Sequence, residues 1–213
     1  AARERQVHRP VPAPLARGYC AAELEGVGSR DLERDYIPRV IYCENGGADL
    51  EALKAQAIAA RSVLYYEMAT SGSICDGQRC QVYSCAGSPS AIHYKAAAET
   101  AGQYLAHDGL LTYGFYVDGD PRPDPATCVG SLTVRNQAYV THNAGKRGEA
   151  VAQTPLGYVG PPGYGQNRGG MSQWGARCLE SEQGADHLEI LRFFYGEDIE
   201  VLTAPACDDL TEA

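Results

Sequence analysis

Residues 50–62 have the sequence Leu-Glu-Ala-Leu-Lys-Ala-Gln-Ala-Ile-Ala-Ala-Arg-Ser, which favours a helix more strongly than any other stretch of this 213-residue chain. Asp49 precedes this stretch as a preferred type of N-cap residue, and Gly72 follows it as a helix terminator. The apolar residues recur every three or four positions, at Leu53, Ala57, Ala60, Leu64 and Met68. The pattern predicts a helix over residues 50–68.

The sequence before this helix favours a flexible tail and, just before the helix, one short strand. Residues 1–18 mix Arg, Pro and Ala without an apolar period, so we expect a flexible tail there and a domain over residues 19–213. The apolar run 37–43 is short and is followed by Asn45-Gly46-Gly47, which breaks it. We therefore expect a strand that places Glu44 at a strand-to-helix corner.

The residues after the helix predict a mixture of elements. Ser88-Pro89 predicts the start of a second helix, over residues 91–101. Two strand-like runs then flank Asp108-Gly109 and predict a hairpin, over residues 103–107 and 110–116. Residues 118–170 are rich in Gly, Pro, Asn and Asp, as in binding or lid loops. The remaining predictions are strands at 131–134, 138–141 and 199–202, and helices at 171–182 and 186–195.

The charge balance and the hydropathy exclude two classes of partner. The chain has 18 basic and 27 acidic residues, a formal net charge of −9, and no run of Lys or Arg that could follow a phosphate backbone. We therefore expect no nucleic-acid partner. No apolar run approaches the roughly 20 residues of a membrane helix, so we also expect no membrane-spanning segment.

Eight cysteines are spread over the chain without a Cys-x-x-Cys pair, at positions 20, 43, 75, 80, 85, 128, 178 and 207. An even, scattered set is typical of disulfides in an oxidising compartment. Cys75, Cys80 and Cys85 are also close enough in sequence to bind zinc with His93, as in a small secreted metalloprotein, and this alternative stays open. Together the patterns predict an α+β fold, one main domain stapled by disulfides.

Lys54 and Arg61 lie seven residues apart and therefore share one side of the predicted helix. They form either the solvated basic edge of an amphipathic helix or a pair of cations that face a groove. The spacing fits both interpretations.

Two segments resemble the stage II sporulation protein D family, SpoIID/LytB: the helix sequence at 50–62, and Gly-Gly-Met-Ser-Gln-Trp-Gly-Ala at 169–176. Family members have Glu-Ala-Leu-Lys-Ala-Gln-Ala-x-Ala-Ala-Arg early and Gly-Met-Ser-Gln-x-Gly-Ala late. Lesser matches follow the same order, at Gln81-Val82-Tyr83, 99–102, 189–191 and 194–196. The resemblance extends over residues 36–202.

The resemblance implies a protein that acts on peptidoglycan glycan strands in a bacterial cell wall, outside the cytoplasmic membrane. Family members studied as enzymes are lytic transglycosylases that cleave the N-acetylmuramic acid to N-acetylglucosamine bond, preferably in strands without stem peptides. The alternative function is non-catalytic peptidoglycan binding that stimulates a cell-wall amidase as partner. The implied domain has long Gly/Pro-rich loops around a glycan-binding cleft. We expect no cofactor, with zinc as the alternative given above.

Glu44 matches the position of the family's catalytic glutamate, just before the Lys-Ala-Gln helix. Hydrolytic glycosidases usually need two carboxyl groups. A lytic transglycosylase can use one, because the substrate's own C6 hydroxyl attacks the anomeric carbon and gives a 1,6-anhydro product. Such an acid must start protonated, and apolar neighbours such as Ile41 would raise its pKa. Without the resemblance Glu44 also fits a solvated loop charge, and its rival Glu51 fits a structural charge in a first helical turn.

The resemblance also implies substrate-binding residues, which are Lys54, Gln56, Arg61, Gln81, Tyr83, Arg168, Met171, Ser172 and Gln173. Ser172 fits a helix cap equally well. Arg168 stands near the position of a family histidine that this chain lacks, and Asp118-Gly119-Asp120 replaces a Ser/Gly-rich motif expected after the hairpin. Flat faces on which sugars stack are offered by four aromatic residues, Tyr116, Tyr158, Tyr164 and Trp174.

Overall fold

The computed structural model describes residues 9–157 and 166–207 and confirms the α+β class. In chain order the elements are β1 (Ala21–Leu24), β2 (Gly28–Asp31), α1 (Ile37–Asn45), α2 (Leu50–Thr70), α3 (Ala91–Glu99), β3 (Gln103–His107), β4 (Leu110–Leu111), β5 (Tyr116–Val117), β6 (Met171–Ser172), α4 (Gln173–Gln183), α5 (His187–Tyr195) and β7 (Glu200–Thr203). One turn of π-helix, Leu32–Tyr36, leads from β2 into α1. None of the helices in the described ranges has the length and apolar character needed to cross a membrane.

Helix α2 is the centre of the fold. Nearly every side chain between Ala52 and Tyr66 is buried, on all sides of the helix. Burial all round is expected of a helix that other elements surround, and α1, α3, α4, α5 and β3 all pack against it. The many alanines of α2 allow these neighbours to approach closely. The predicted helix is therefore confirmed, with its end at Thr70.

The start of α2 is capped from another helix. The carboxylate of Glu180 in α4 accepts hydrogen bonds from the backbone N–H groups of Glu51, at 2.9 Å, and Ala52, at 2.8 Å. Asp49 stands at the predicted N-cap position but makes no capping hydrogen bond with its side chain. Because the first N–H groups of a helix are unpaired and lie at its positive end, Glu180 satisfies two of them and fixes α4 against α2.

The strands form three small sheets. β1 and β2 form a hairpin, and β3 lies between β4 and β7 in an antiparallel sheet. This sheet confirms the final strand and the predicted hairpin, except that the second strand of the hairpin ends at Leu111 and not at residue 116. β5 and β6 pair in parallel, with Tyr116 opposite Met171 and Val117 opposite Ser172. This pairing brings Asp118, which follows β5, to Gln173 at the start of α4, 55 residues further along the chain.

The eight cysteines form four disulfides, which confirms the expectation of an oxidised chain: Cys20–Cys207, Cys43–Cys85, Cys75–Cys80 and Cys128–Cys178. The zinc alternative is not formed, because the sulfurs of Cys75, Cys80 and Cys85 are all bonded to cysteines. The Nδ1 atom of its fourth member, His93, accepts a hydrogen bond from the backbone N–H of Ser90 at the start of α3. Within residues 9–157 and 166–207, no group of three or more His, Cys, Asp or Glu side chains could hold a metal ion.

Two predictions of local structure before residue 100 are wrong. Residues 37–43 belong to helix α1, not to a strand, because Pro38 fits the first helical turn and Ile37, Val40 and Ile41 bury one helical face. Helix α3 begins after Ser90, not at Ser88-Pro89, because Ser90 and His93 form a reciprocal capping box.

The strands predicted at 131–134 and 138–141 are also absent. Residues 135–139 form a 3-10 helix, and the preceding residues form a turn in which the hydroxyls of Ser131 and Thr133 hydrogen-bond at 2.9 Å. Local hydroxyl bonds of this kind compete with strand pairing. The predicted helix 171–182 starts two residues late, because Met171 and Ser172 pair with β5.

Residues 9–15 pack on the domain, unlike the flexible tail predicted for residues 1–18. Val11 is buried, and its carbonyl accepts a 2.8 Å hydrogen bond from the N–H of Leu111. The N–H of Ala13 donates to the carbonyl of Gly109 at 2.8 Å. Backbone pairing at the exposed edge of β4 therefore orders this segment, which a polar composition does not reveal. Residues 1–8 lie outside the described residues, and the boundary at residue 19 stays a prediction.

Candidate active site

An open cavity of about 430 Å³ lies where the end of α1, the residues around β5 and the start of α4 meet. Residues 78–80 and Val82 form a further wall. The polar side chains of the lining are Glu44, Gln78, Arg79, Tyr113, Tyr116, Asp118, Asn136, Tyr139 and Gln173, and Val63, Phe115 and Leu156 supply apolar surface. Among the predicted site residues, the cavity brings together Glu44 and Gln173, which are 129 positions apart in the chain.

Glu44 lies in the last turn of α1 and is partly buried in the cavity wall. Its Oε1 accepts a 2.7 Å hydrogen bond from the backbone N–H of Val82. No basic side chain in the described part of the chain lies within ion-pair distance of this carboxyl group. Glu44 therefore enters the cavity without a cation to neutralise it.

Gln173 is the first residue of α4 and is 3% exposed. Ser172 caps this helix as predicted: its hydroxyl oxygen accepts a 2.9 Å hydrogen bond from the N–H of Gly175. The Gln173 amide stabilises the Glu44 carboxylate, yet its Nε2 makes no hydrogen bond of ordinary geometry with any described residue. The cavity wall thus holds a buried amide donor beside the Glu44 carboxyl group.

Helices α1 and α4 are joined beside these two side chains. The Nε atom of Arg177 donates a 2.7 Å hydrogen bond to Oδ1 of Asn45. Asn45 follows Glu44 in α1, and Arg177 lies one turn after Gln173 in α4. This bond therefore fixes the distance across the cavity between the carboxyl group and the amide.

Tyr116 reaches Glu44 from the third side of the cavity. Its hydroxyl oxygen accepts a 3.1 Å hydrogen bond from Nε2 of Gln81, which leaves the hydroxyl proton free to bind the Glu44 carboxylate. Gln81 is fully buried, and its Oε1 accepts a 2.7 Å hydrogen bond from the hydroxyl of Tyr36. The resemblance implies that Gln81 binds substrate, whereas in the structure its side chain orients Tyr116.

The surroundings raise the pKa of Glu44. Burial is the largest cause, because it disfavours the charged form, and the negative charge of Asp118 acts in the same direction. Hydrogen bonds from Val82, Gln173 and Tyr116 oppose the shift by stabilising the carboxylate. A carboxyl group in this position keeps its proton to a higher pH than an ordinary glutamic acid does, and after it gives up the proton it has three hydrogen-bond donors in place.

The family comparison identifies the segment that carries Glu44. The family model SpoIID, described as stage II sporulation protein, matches residues 23–107. The match covers 85 of the 213 residues, and over these residues the chain is similar to the SpoIID family. No curated protein matches the chain. The SpoIID match includes α1, α2 and Gln81, whereas Asp118 and Gln173 come from the residues after it, so the cavity combines the SpoIID segment with a later part of the chain.

Lys54 of the SpoIID helix does not line the cavity. Its Nζ pairs with the carboxylates of Glu51, at 2.8 Å, and Glu99, at 2.6 Å. Glu51 also accepts a hydrogen bond from the backbone N–H of His187 at 3.0 Å. Although partial burial opposes the shift, hydrogen bonds from Lys54 and His187 lower the pKa of Glu51 to about 2. Glu51 is therefore a charged structural residue, as its place in the first turn of α2 indicated.

Arg61 and Gln56 are sealed in the core of the SpoIID segment. Arg61 is 0% exposed and forms two hydrogen bonds with the carboxylate of Glu33, at 2.8 and 2.7 Å, and a third with the carbonyl of Gln103 at 3.0 Å. Gln56 is also 0% exposed. Neither side chain can touch a substrate in this conformation. Arg61 lies neither on a solvated edge of the helix nor in a groove, so both interpretations of the Lys54–Arg61 pair are wrong for Arg61.

The other predicted binding residues also hold the fold. Tyr83 stacks on Tyr36 with ring centroids 5.8 Å apart, and its hydroxyl donates to Asp35 at 3.0 Å. The buried Arg168 pairs with Asp198 and does not replace a histidine in the cavity. Met171 is buried in β6, where its N–H donates to the carbonyl of Phe115 at 2.9 Å.

The predicted aromatic platforms divide into three cases. Tyr116 lines the cavity. Trp174 is 36% exposed on α4, where the guanidinium of Arg177 lies 4.3 Å from its ring centroid, and it does not line the cavity. Tyr158 and Tyr164 lie outside the described residues.

Sequence reasoning missed six polar residues of the lining, which are Gln78, Arg79, Tyr113, Asp118, Asn136 and Tyr139. Gln78 and Arg79 lie inside the short loop closed by the Cys75–Cys80 disulfide. Asp118 follows β5 directly. The signal for Asp118 was present, because Asp118-Gly119-Asp120 departs from the Ser/Gly-rich motif, but the sequence alone does not place that departure next to Glu44.

Proposed function

We propose that this protein is a lytic transglycosylase that cleaves the N-acetylmuramic acid to N-acetylglucosamine bond of peptidoglycan strands without stem peptides. The observation that carries the proposal is the position of Glu44, unpaired with any cation of the described residues and with a raised pKa, in an open cavity beside Gln173. The SpoIID segment supports the substrate class, and four disulfides support a location outside the cytoplasm.

In the first half of the reaction Glu44 acts as a general acid. Its carboxyl proton passes to the glycosidic oxygen while the bond from that oxygen to the anomeric carbon breaks, and the bonding electrons leave with the oxygen. Glu44 becomes a carboxylate. The N–H of Val82, the Gln173 amide and the Tyr116 hydroxyl then stabilise its charge.

In the second half Glu44 acts as a general base. The C6 hydroxyl of the muramic acid attacks the anomeric carbon, and its proton returns to the Glu44 carboxylate. The products are a 1,6-anhydro sugar and a free hydroxyl on the leaving sugar. Water is not consumed, and the protein regains its starting protonation state.

The direct test compares Glu44→Gln with the wild type on purified glycan strands without stem peptides. We expect the formation of anhydro-sugar ends, counted by mass spectrometry, to fall by about 10³-fold, since general acid–base catalysis contributes 10²–10⁴-fold. Glu149→Gln is the matched control, because Glu149 is an exposed carboxylate that does not line the cavity. Undiminished product from Glu44→Gln would overturn the assignment.

The same assay separates an enzyme from a binding protein that stimulates an amidase. Both would bind stripped glycan, so binding does not decide between them. Anhydro ends formed by the wild type alone support the enzyme. Binding without any anhydro product, together with faster release of stem peptides by an added cell-wall amidase, would favour the non-catalytic function.

A further inference from the structure

The cavity contains a second carboxylate, Asp118, whose backbone is held by the start of α4. The carbonyl oxygen of Asp118 accepts hydrogen bonds from the hydroxyl of Ser172, at 3.2 Å, and from the N–H of Trp174, at 3.1 Å. The next residue, Gly119, has a φ of +75°, and a Cβ there would lie 2.1 Å from the Ser172 hydroxyl oxygen. Because Val117 on the other side of Asp118 pairs with Ser172 in the sheet of β5 and β6, the chain is held on both sides of an exposed carboxylate that lines the cavity.

Asp118 has arginines in its surroundings but forms no direct ion pair with a described residue. No basic side chain of the described residues lies within ion-pair distance of it. Arg177 interacts with it electrostatically from α4, and Arg79 lines the cavity from the disulfide loop. The titratable groups that act on Glu44 or respond to it are Asp118, Tyr116 and Tyr36.

The two cavity carboxyl groups lie in opposite environments. Glu44 is mostly desolvated, while Asp118 is exposed. Carboxyl groups whose environments differ in this way commonly divide the roles of acid and charged stabiliser between them. Gln173, which is 3% exposed, lines the same cavity and contributes a hydrogen bond to the Glu44 carboxylate.

We propose that Asp118 is a second catalytic carboxylate, which stabilises the positive charge that develops on the anomeric carbon while Glu44 transfers the proton. This inference rests on the proposed function and assigns to Asp118 a purely electrostatic step. Asp118 forms no covalent bond and takes no proton: the leaving oxygen receives the proton of Glu44, and the C6 hydroxyl returns one to Glu44. The negative charge of Asp118 also favours the protonated form of Glu44.

The test is Asp118→Asn, which keeps the shape and the backbone hydrogen bonds and removes the charge. We expect kcat for anhydro-product formation to fall by about 100-fold, the size seen when one preorganised electrostatic partner is removed. We also expect the pKa of Glu44, followed by ¹³C NMR of its carboxyl carbon without substrate, to fall. Asp118→Glu restores the charge and should recover part of kcat. Asp108→Asn, at the exposed turn of the hairpin, is the control and should change neither quantity.

The outcomes separate this inference from the proposed function. If the wild type forms anhydro product and Asp118→Asn has the same kcat as the wild type, the role of Asp118 is overturned. The proposed lytic transglycosylase function is then unaffected. A loss of kcat with an unchanged Glu44 pKa and no recovery in Asp118→Glu indicates a structural role and also overturns it. Absence of anhydro product from the wild type overturns both. A thermal melt within a few degrees of the wild type shows that each variant is folded.

Discussion

The backbone N–H of Val82 and the carboxyl group of Glu44 are joined by a 2.7 Å hydrogen bond across the wall of the cavity. This bond links the last turn of α1 to a segment held by two disulfides, because Cys80 pairs with Cys75 and Cys85 pairs with Cys43, the residue before Glu44. Covalent links on both sides of this hydrogen bond therefore hold Glu44 in place. The N–H of Val82 is a donor preorganised for the charge that would form on Glu44 in the proposed reaction.

Glu44→Gln should stabilise the protein at neutral pH. The pKa of Glu44 is raised on folding, so the folded state favours the protonated form, and the wild type loses stability as the pH rises from the ordinary pKa of a glutamic acid through the raised value. Glutamine avoids this loss. We expect a higher melting temperature for the variant at pH 7, and a gain of about 1 kcal/mol in the free energy of unfolding would raise it by about 2–4 °C. Near pH 3 the two melting temperatures should be equal. A variant less stable than the wild type at pH 7 would contradict the raised pKa.

Tyr116→Phe should lower activity and shift its pH dependence. Loss of the hydroxyl removes a hydrogen bond that stabilises the Glu44 carboxylate, so the pKa of Glu44 should rise further. We expect kcat to fall by about tenfold, the effect of one hydrogen bond to a charged group. The pH–rate profile measures both effects. Tyr139→Phe is the control on the same cavity wall, and an equal effect from it would argue against a specific role for Tyr116.

Arg61→Met should destabilise the fold without removing activity from the folded fraction. The buried guanidinium pairs with Glu33 and the carbonyl of Gln103, and removal of one member of such a pair leaves the other without compensation. We expect a loss of about 3 kcal/mol in the free energy of unfolding, measured with urea. Lys95→Met, which removes an exposed pair with Glu99, should cost at most about 0.5 kcal/mol. A stable Arg61→Met protein that no longer binds glycan would show that Arg61 does contact substrate.

The disulfide beside the acid should affect activity, whereas the distant one should affect only stability. Replacement of both Cys43 and Cys85 by Ser removes the link between Glu44 and the Val82 segment, so kcat should fall together with about 3–4 kcal/mol of stability. The matched double replacement of Cys20 and Cys207 removes a bond outside the cavity lining. Its activity below its melting temperature should equal that of the wild type. Equal activities for the two double variants would show that the Cys43–Cys85 bond does not position Glu44.

The parts of the fold that could be predicted are those that local sequence determines. Helix α2 and the Ser172 cap follow from residue spacing and side-chain chemistry within one or two turns. The strand predicted before Glu44 was wrong because an apolar run of seven residues fits a buried strand and a short helix alike, and packing against α2 decides between them.

The site was predictable only in part, for a related reason. The family resemblance pointed to Glu44 and Gln173, which the structure brings together. It also pointed to Lys54 and Arg61, whose partners Glu99 and Glu33 are distant in sequence and turn both cations away from the cavity. The contact of Asp118 with the cap of α4 depends on the parallel pairing of β5 and β6, which no local pattern reveals.

The most direct measurement of the central claim is the fate of solvent oxygen in the cleaved strand. Purified glycan strands are digested by the wild type in H₂¹⁸O, and the new ends are examined by mass spectrometry. If Glu44 lets the C6 hydroxyl close on the anomeric carbon, the ends are 1,6-anhydro sugars without ¹⁸O. Reducing ends that carry ¹⁸O would show that water attacks the anomeric carbon and would contradict the account.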